Sequence, residues 1–331
     1  MNRLQAHRRE ELALQPVVTE LCLLLMAERR LPRGTDSTGL LLADLSPGTR
    51  LGEFVIEAKL PSRGTGHVYR ATHLVLPRLA TIRVLPAAEA EMRSVALELF
   101  REACIVDAVD HPGMPRVFEC GMLPDRRPWI ASELITGRTV ASMLETGRIA
   151  LADVIEIVRD VADILATSHR RGLVHCHVAP TSIVIPAQPR RFPLCLVDWV
   201  DARTHDSTVP LPLVVGGRYI APEQANAIAA DERCDVFSLG MVARDLVDCV
   251  ADEPIPPILG ALVDSMIAFD PAARPASADV LATATWLAAE HAGPDSSASA
   301  APEPVSEASM RSRPITSEVA AVVSGEIGKR A

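Results

Sequence analysis

Residues 175–182 read His-Cys-His-Val-Ala-Pro-Thr-Ser, and the fold is decided by that stretch and what stands in order around it. Downstream come Val-Asp-Trp-Val (197–200), Ala-Pro-Glu (221–223), Asp-Val-Phe-Ser-Leu-Gly (235–240) and Asp-Pro-Ala-Ala-Arg-Pro (270–275). Immediately upstream, Ile149–Arg170 has helical periodicity, as do several later segments to about His291. Further upstream the period changes. Leu51 to about Tyr69 suits two strands joined at a turn containing Pro61, Gly64 and Gly66; Leu79–Leu85 and Trp129–Leu134 are strand-like, and Val95–Val109 is helical. A strand-rich beginning followed by a helix-rich remainder predicts two lobes of different class.

Composition narrows the function classes. The 331 residues are 48% hydrophobic and 23% charged, enough apolar matter for a sizeable core. A formal net charge of −9 offers no basic field for nucleic acid. Lys59 and Lys329 are the only lysines among 33 basic residues. The seven cysteines are scattered without a C-x-x-C pair, which argues against a disulfide framework or a structural zinc site. The longest uninterrupted apolar run, Leu21–Ala27, is too short to span a membrane, and Glu10 and Glu11 precede it without a signal-peptide pattern. The expected setting is cytoplasmic.

The expected organisation is an N-terminal extension (1–50), a β-rich lobe (51–133), a helical lobe (134–291) and a disordered tail (292–331). The extension carries a helical stripe through Leu14, Val17, Val18, Leu21, Leu24 and Leu25, interrupted by Pro16. The tail is rich in Ser, Ala, Pro and Glu; near its end Val319, Val322, Val323 and Ile327 share a helical face.

Taken together, residues 51–290 resemble the protein-kinase fold in its bacterial, Hanks-type serine/threonine form. The resemblance implies an α+β, two-lobed protein-kinase-like fold with a small β-rich N-lobe and a larger helical C-lobe. Leu-Pro-Ser-Arg-Gly-Thr-Gly-His-Val-Tyr (60–69) sits where the glycine-rich loop belongs, and Ala-Thr-Ile-Arg (80–83) resembles the strand carrying the phosphate-binding lysine. Phe-Arg-Glu-Ala (100–103) resembles the helix supplying that lysine's glutamate partner, here Glu102. Residues 175–182 take the catalytic-loop position, and 197–200 that of the metal-binding Asp-Phe-Gly segment.

The departures matter more than the matches, because phosphoryl transfer asks the protein for positioning and charge. Pro61 and Arg63 replace the first two glycines of the phosphate loop; Gly66 keeps the third. Proline has no N–H to offer a phosphate. Arg63 either contacts a phosphate or fills its space, and occlusion is the expectation. Arg83 replaces the lysine, a bulkier planar fork that can still pair with Glu102. His177 replaces the aspartate that accepts the substrate's proton, Ala179 the lysine beside it, and Ser182 the asparagine that holds a metal ion. A positioned base contributes about 10²–10⁴-fold, and these groups act as a unit.

Asp198 is kept, but one carboxylate makes a poor magnesium site, and it is expected to be a hydrogen-bonded core residue. Cys176 replaces the arginine that reads an activation-loop phosphate, whatever happens at Thr204, Ser207 or Thr208. A zinc reading of His175, Cys176 and His177 with Cys195 lacks a further ligand at a characteristic spacing, so no metal site is expected. Cys176 also lacks the orienting partners of a nucleophile.

By contrast, the architectural positions survive. Glu223 and Arg274 match a buried ion pair of the family, Asp235 matches the aspartate that holds the catalytic-loop backbone, and His175, Pro222 and Pro275 belong to the frame. Residues needed to fold remain while those needed for chemistry are altered.

This pattern implies a pseudokinase acting as a scaffold or regulator in signalling, with no competent catalytic set at His177, Ala179 and Ser182. The expected partners are proteins, among them an active kinase or its substrates. Two other readings stay open: a weak ATP-dependent serine/threonine kinase, and a nucleotide sensor without turnover. In either, an adenine would lie between Leu60, Val68, Thr81 and Val184, with backbone contacts at Glu133 and Ile135, and Gly66, Arg83, Glu102 and Asp198 would line the phosphate end. ATP is then the cofactor to test, and magnesium would be held poorly. Against both stands an ordinary collapsed core between the lobes.

Overall fold

Six antiparallel strands form one sheet: β1 (Arg50–Leu51), β2 (Phe54–Leu60), β3 (His67–His73), β4 (Leu79–Val84), β5 (Val117–Met122) and β6 (Pro128–Glu133), in the order β1-β2-β3-β4-β6-β5. The chain is seen here as a computed structural model that describes residues 44–61, 66–85, 100, 103–104, 106–125, 127–204, 217–225, 231–251 and 253–292. The expected N-terminal helix, the tail, and the segments with Arg63, Glu102, Ser207 and Thr208 lie outside these residues.

Strand period two explains how the sheet makes both a core and a wall. In β4, Ala80, Ile82 and Val84 are buried while Leu79, Thr81 and Arg83 are half-buried. The buried row packs with Leu51, Phe54, Ile56, Tyr69, Ala71, Trp129 and Ala131. The opposite row stays partly open to solvent. Truncating a fully buried member such as Ile82 to alanine should cost about 2–5 kcal/mol. The register shifts between Ile56 and Ala58 in β2, an irregularity of the kind that bends a strand locally.

Residues 100, 103–104 and 106–109 are helical. After β6 the chain runs through β7 (Gly137–Thr139) into helices α1 (Val140–Leu144) and α2 (Leu151–Arg170). Thr139 caps α1: its hydroxyl accepts from Ser142 N–H at 3.1 Å. The 20-residue α2 buries Val154, Ile155, Val158, Val161, Ile164 and Leu165, a stripe at helical spacing.

Short strands follow. β8 (Leu173–Val174) pairs with β11 (Arg203–Thr204), while β9 (Ile183–Pro186) lies between β7 and β10 (Cys195–Leu196). Four helices complete the lobe: α3 (Pro222–Ala225), α4 (Arg233–Asp248), α5 (Pro257–Met266) and α6 (Ser277–Ala292). Their shared core includes Leu239, Val242 and Leu246 of α4, Leu259 and Met266 of α5, and Val280 of α6 against α2. The result is a two-lobed α+β architecture, with the β8–β9 connection (175–182) bonded to residues of the helical lobe.

Candidate functional site

The loop at 175–182 is held from beneath by one carboxylate. Asp235, in the first turn of α4 and fully buried, accepts from His175 N–H at 2.8 Å and from Cys176 N–H at 2.7 Å. Its Oδ2 is also 2.8 Å from His169 Nε2, and the other ring nitrogen of His169 lies 2.9 Å from Ser277 Oγ. One buried chain of polar groups thus ties the loop to α2, α4 and the start of α6. Gln224 adds a second tie, its Nε2 donating to Cys176 O at 2.8 Å while its Oε1 accepts from Ala221 N–H at 3.1 Å. Held this way, Cys176 adopts φ 64°, a left-handed conformation uncommon for a residue with a Cβ. Sequence reasoning found Asp235 and missed His169 and Gln224, which contribute through contacts far away in the chain.

Within the loop the polar groups turn inward. Ser182 is 2% exposed. Its hydroxyl accepts from Ala179 N–H at 3.0 Å and donates to Ala179 O at 2.8 Å. Both exchanges close the turn on itself, and Ala179 is likewise buried. His177 N–H donates to His175 Nδ1 at 3.2 Å, and His177 Nδ1 lies 3.3 Å from Asp201 Oδ2. Sequence reasoning did not find Asp201.

The segment after β10 explains how Asp201 arrives there. Asp198 adopts φ 68° and ψ 47°, and Trp199–Asp201 then make a 3₁₀ turn. Trp199 anchors the turn: its Nε1 donates to Leu196 O at 2.8 Å, and its ring meets His175 edge-on with centroids 4.5 Å apart. Asp198 is exposed and has no hydrogen bond or ion pair among the described residues. This corrects the expectation of a hydrogen-bonded core role; the left-handed backbone points the carboxylate outward while Asp201 turns in. The His177 hydrogen bond, more than any other cause, holds the Asp201 carboxyl below the usual carboxylate range, and the Arg83 and Arg203 charges act the same way against the opposing effect of burial. Burial, conversely, holds the His175 imidazole below its ordinary range.

Around this centre, Leu60, Val68, Thr81 and Arg83 are half-buried, Val184 is buried, and Glu133 and Ile135 are half-buried on the connection between the lobes. Gly66 has φ 104°, and a Cβ there would come within 2.7 Å of Val84 O, so both backbone angle and space demand glycine. Glu133 carries its side chain to Arg190, in the β9–β10 connection, with two nitrogen–oxygen contacts, the second (Nη2–Oε2) at 3.1 Å.

The donor set fits a metal ion badly. The Ser182 hydroxyl is committed to Ala179, Asp201 is engaged by His177, and Asp198 stands apart. Among the described residues no group of three or more His, Cys, Asp or Glu side chains is placed to hold an ion. Burial pushes the Cys195 thiol up to about 12, which leaves it protonated and a poor ligand or nucleophile.

A family profile described as "Protein kinase domain" matches residues 54–255. The chain belongs to the protein kinase family. It is 31% identical over 205 residues to the serine/threonine-protein kinase PknB of Mycolicibacterium smegmatis, covering 58% of this chain and 32% of that protein. To the kinase PknL of Mycobacterium tuberculosis H37Rv it is 31% identical over 198 residues, 59% of this chain and 49% of the relative. To Pkn1 of Myxococcus xanthus the identity is 27% over 205 residues, 60% and 29% respectively. The matched stretch thus spans from under a third to about half of the length of these relatives. Among solved structures, a double mutant of the Mycobacterium tuberculosis PknI kinase domain superposes with a TM-score of 0.56 at 22% identity, covering 74% of this chain and 100% of that one. The two lobes are those of the kinase fold. Among the described residues, no helix is long and apolar enough to cross a membrane.

Proposed function

We infer that this kinase-family domain is a pseudokinase: it keeps the family's frame and does not carry out efficient phosphoryl transfer. One observation carries the reading. The Ser182 hydroxyl is closed onto Ala179 at 2.8 and 3.0 Å, so the side chain that would join the exposed Asp198 in gripping a metal–phosphate unit is already spent within its own turn. Transfer depends on such electrostatic gripping more than on covalent chemistry. Ala179 supplies no charge, and His177 is turned to Asp201.

On this reading the domain works as a cytoplasmic regulator or scaffold, its partners being proteins of a kinase pathway, an active kinase or the substrates of one. The test is a melt of the purified chain with ATP, with and without Mg²⁺ or Mn²⁺. A ligand at about 100 times its Kd stabilises by about 2.7 kcal/mol. No metal-dependent shift at millimolar ATP is expected; a large one counts against the reading.

The 3.3 Å contact between His177 Nδ1 and Asp201 favours one other reading, a weak serine/threonine kinase in which Asp201 orients His177 as the proton acceptor. Phosphate transfer that disappears in Asp201→Asn would select it.

A further inference from the structure

The link between the lobes is fastened from one side by a charged contact. Glu133 closes β6: its backbone pairs with Ala80 of β4, and its N–H donates to Arg116 O at 2.8 Å. Leu134, Ile135 and Thr136 then lead to β7. The Glu133 carboxylate leaves the sheet and takes both terminal nitrogens of Arg190, the Nη2–Oε2 contact being 3.1 Å. Arg116 N–H donates to the same carboxylate at 3.4 Å. Solvent reaches little of the pair, the Arg190 side chain being 21% exposed and that of Glu133 23%.

The β9–β10 connection is built to hold Arg190 in place. Pro186, Pro189 and Pro193 fix φ along it, and Ala187 N–H donates to Thr136 O at 2.9 Å. Phe192 meets the His111 ring edge-on with centroids 4.7 Å apart, and His111 Nε2 lies 3.5 Å from Asp163 of α2. A Cβ on Gly113 would come within 2.9 Å of the Phe192 ring, so the turn before β5 packs directly on this connection. Arg190 has no second hold. Among the described residues its guanidinium bonds to Glu133 alone, and its buried Nε finds no acceptor. Letting go of Glu133 would bring that nitrogen to water, which gives the closed contact a defined open alternative.

We propose that Glu133 and Arg190 form an interlobe latch: one two-point ion pair ties the end of the sheet to the helical lobe and keeps the link at 134–136 closed. The planar guanidinium fixes direction as well as distance, which a single-point contact would not do. The latch does not depend on whether the domain transfers phosphate, so it is tested without nucleotide.

The experiment is hydrogen exchange by mass spectrometry on the full chain, comparing wild type, Glu133→Gln, Arg190→Gln and the double variant. Exchange at 134–137 and 187–192 should rise at least about tenfold in each single variant, while that of α2 changes by less than about twofold. The double variant should open no further than the single ones, because either change alone releases the same contact. Unchanged exchange at these segments in a folded single variant overturns the proposal. So does a rise shared equally by α2, or a double variant whose rise is the product of the single rises. Should the glutamine variants fail to fold, Arg190→Lys decides: it keeps the charge and loses the fork. Faster exchange at the two segments and not in α2 supports the latch, and wild-type exchange there overturns it.

Discussion

Arg274 grips Glu223 through two parallel contacts, Nη1–Oε1 at 2.6 Å and Nη2–Oε2 at 2.9 Å, with the guanidinium side chain entirely buried. Its remaining donors reach backbone carbonyls of Ala268, Phe269 and Arg233, and the ring of Phe237 lies 4.9 Å from Cζ. Such a fully satisfied pair joins α3 to the turn before α6.

Removing one partner should therefore be worse than removing both. Glu223→Ala strands a buried cation and should cost about 3–5 kcal/mol in urea unfolding. Glu223→Leu combined with Arg274→Met should cost less than the sum of the single changes. Strict additivity would mean the pair is not coupled.

Gly66→Ala should destabilise the sheet by about 1–3 kcal/mol, because φ 104° is strained for alanine and Val84 O stands in the way. A melting temperature equal to wild type would show that the loop relaxes.

Acid should weaken the fold before it reaches the carboxylate range. Burial lowers the folded-state affinity of His175 and of His111 for a proton, so the unfolded chain protonates first, near pH 6.5. Stability then falls as pH drops through about 6.5 and keeps falling until the folded-state values are passed. Asp201 acts in a lower window: its folded value lies below 3.8, so its contribution is present above that pH and lost beneath it. Melts from pH 8 to pH 5 should show a falling midpoint, with a shallower fall in His111→Gln. A flat profile contradicts the assignment.

Restoring single residues should not restore chemistry. Ser182→Asn places a larger side chain in a closed turn and should cost about 1–3 kcal/mol through overpacking, without phosphate transfer. His177→Asp, Ala179→Lys and Arg83→Lys alone should likewise remain inactive, since these groups act together. Robust transfer from any one of them would contradict that.

Legibility from the sequence followed the range of the interactions. The strand at Leu79–Val84 and the helix at Leu151–Arg170 announce themselves through local period, and Asp235, Glu223 and Arg274 through order along the chain. Strand Val117–Met122 was not legible: all six residues are half-buried, so it carries no alternation, and Gly121 is there to let the Trp129 ring approach. Asp201, His169, Gln224 and Arg190 owe their roles to partners between 24 and 108 residues away, and no periodicity encodes those contacts. Asp198 misled because the motif names the residue but not its backbone angle; a left-handed φ sends its side chain to solvent and brings Asp201 in instead.

The most direct test of the central claim is transfer of labelled γ-phosphate from ATP to the chain itself and to serine- and threonine-containing acceptors, with Mg²⁺ or Mn²⁺, against an Asp198→Ala control. The pseudokinase reading predicts incorporation no greater than that of the control. Transfer well above background that disappears in Asp198→Ala would contradict it.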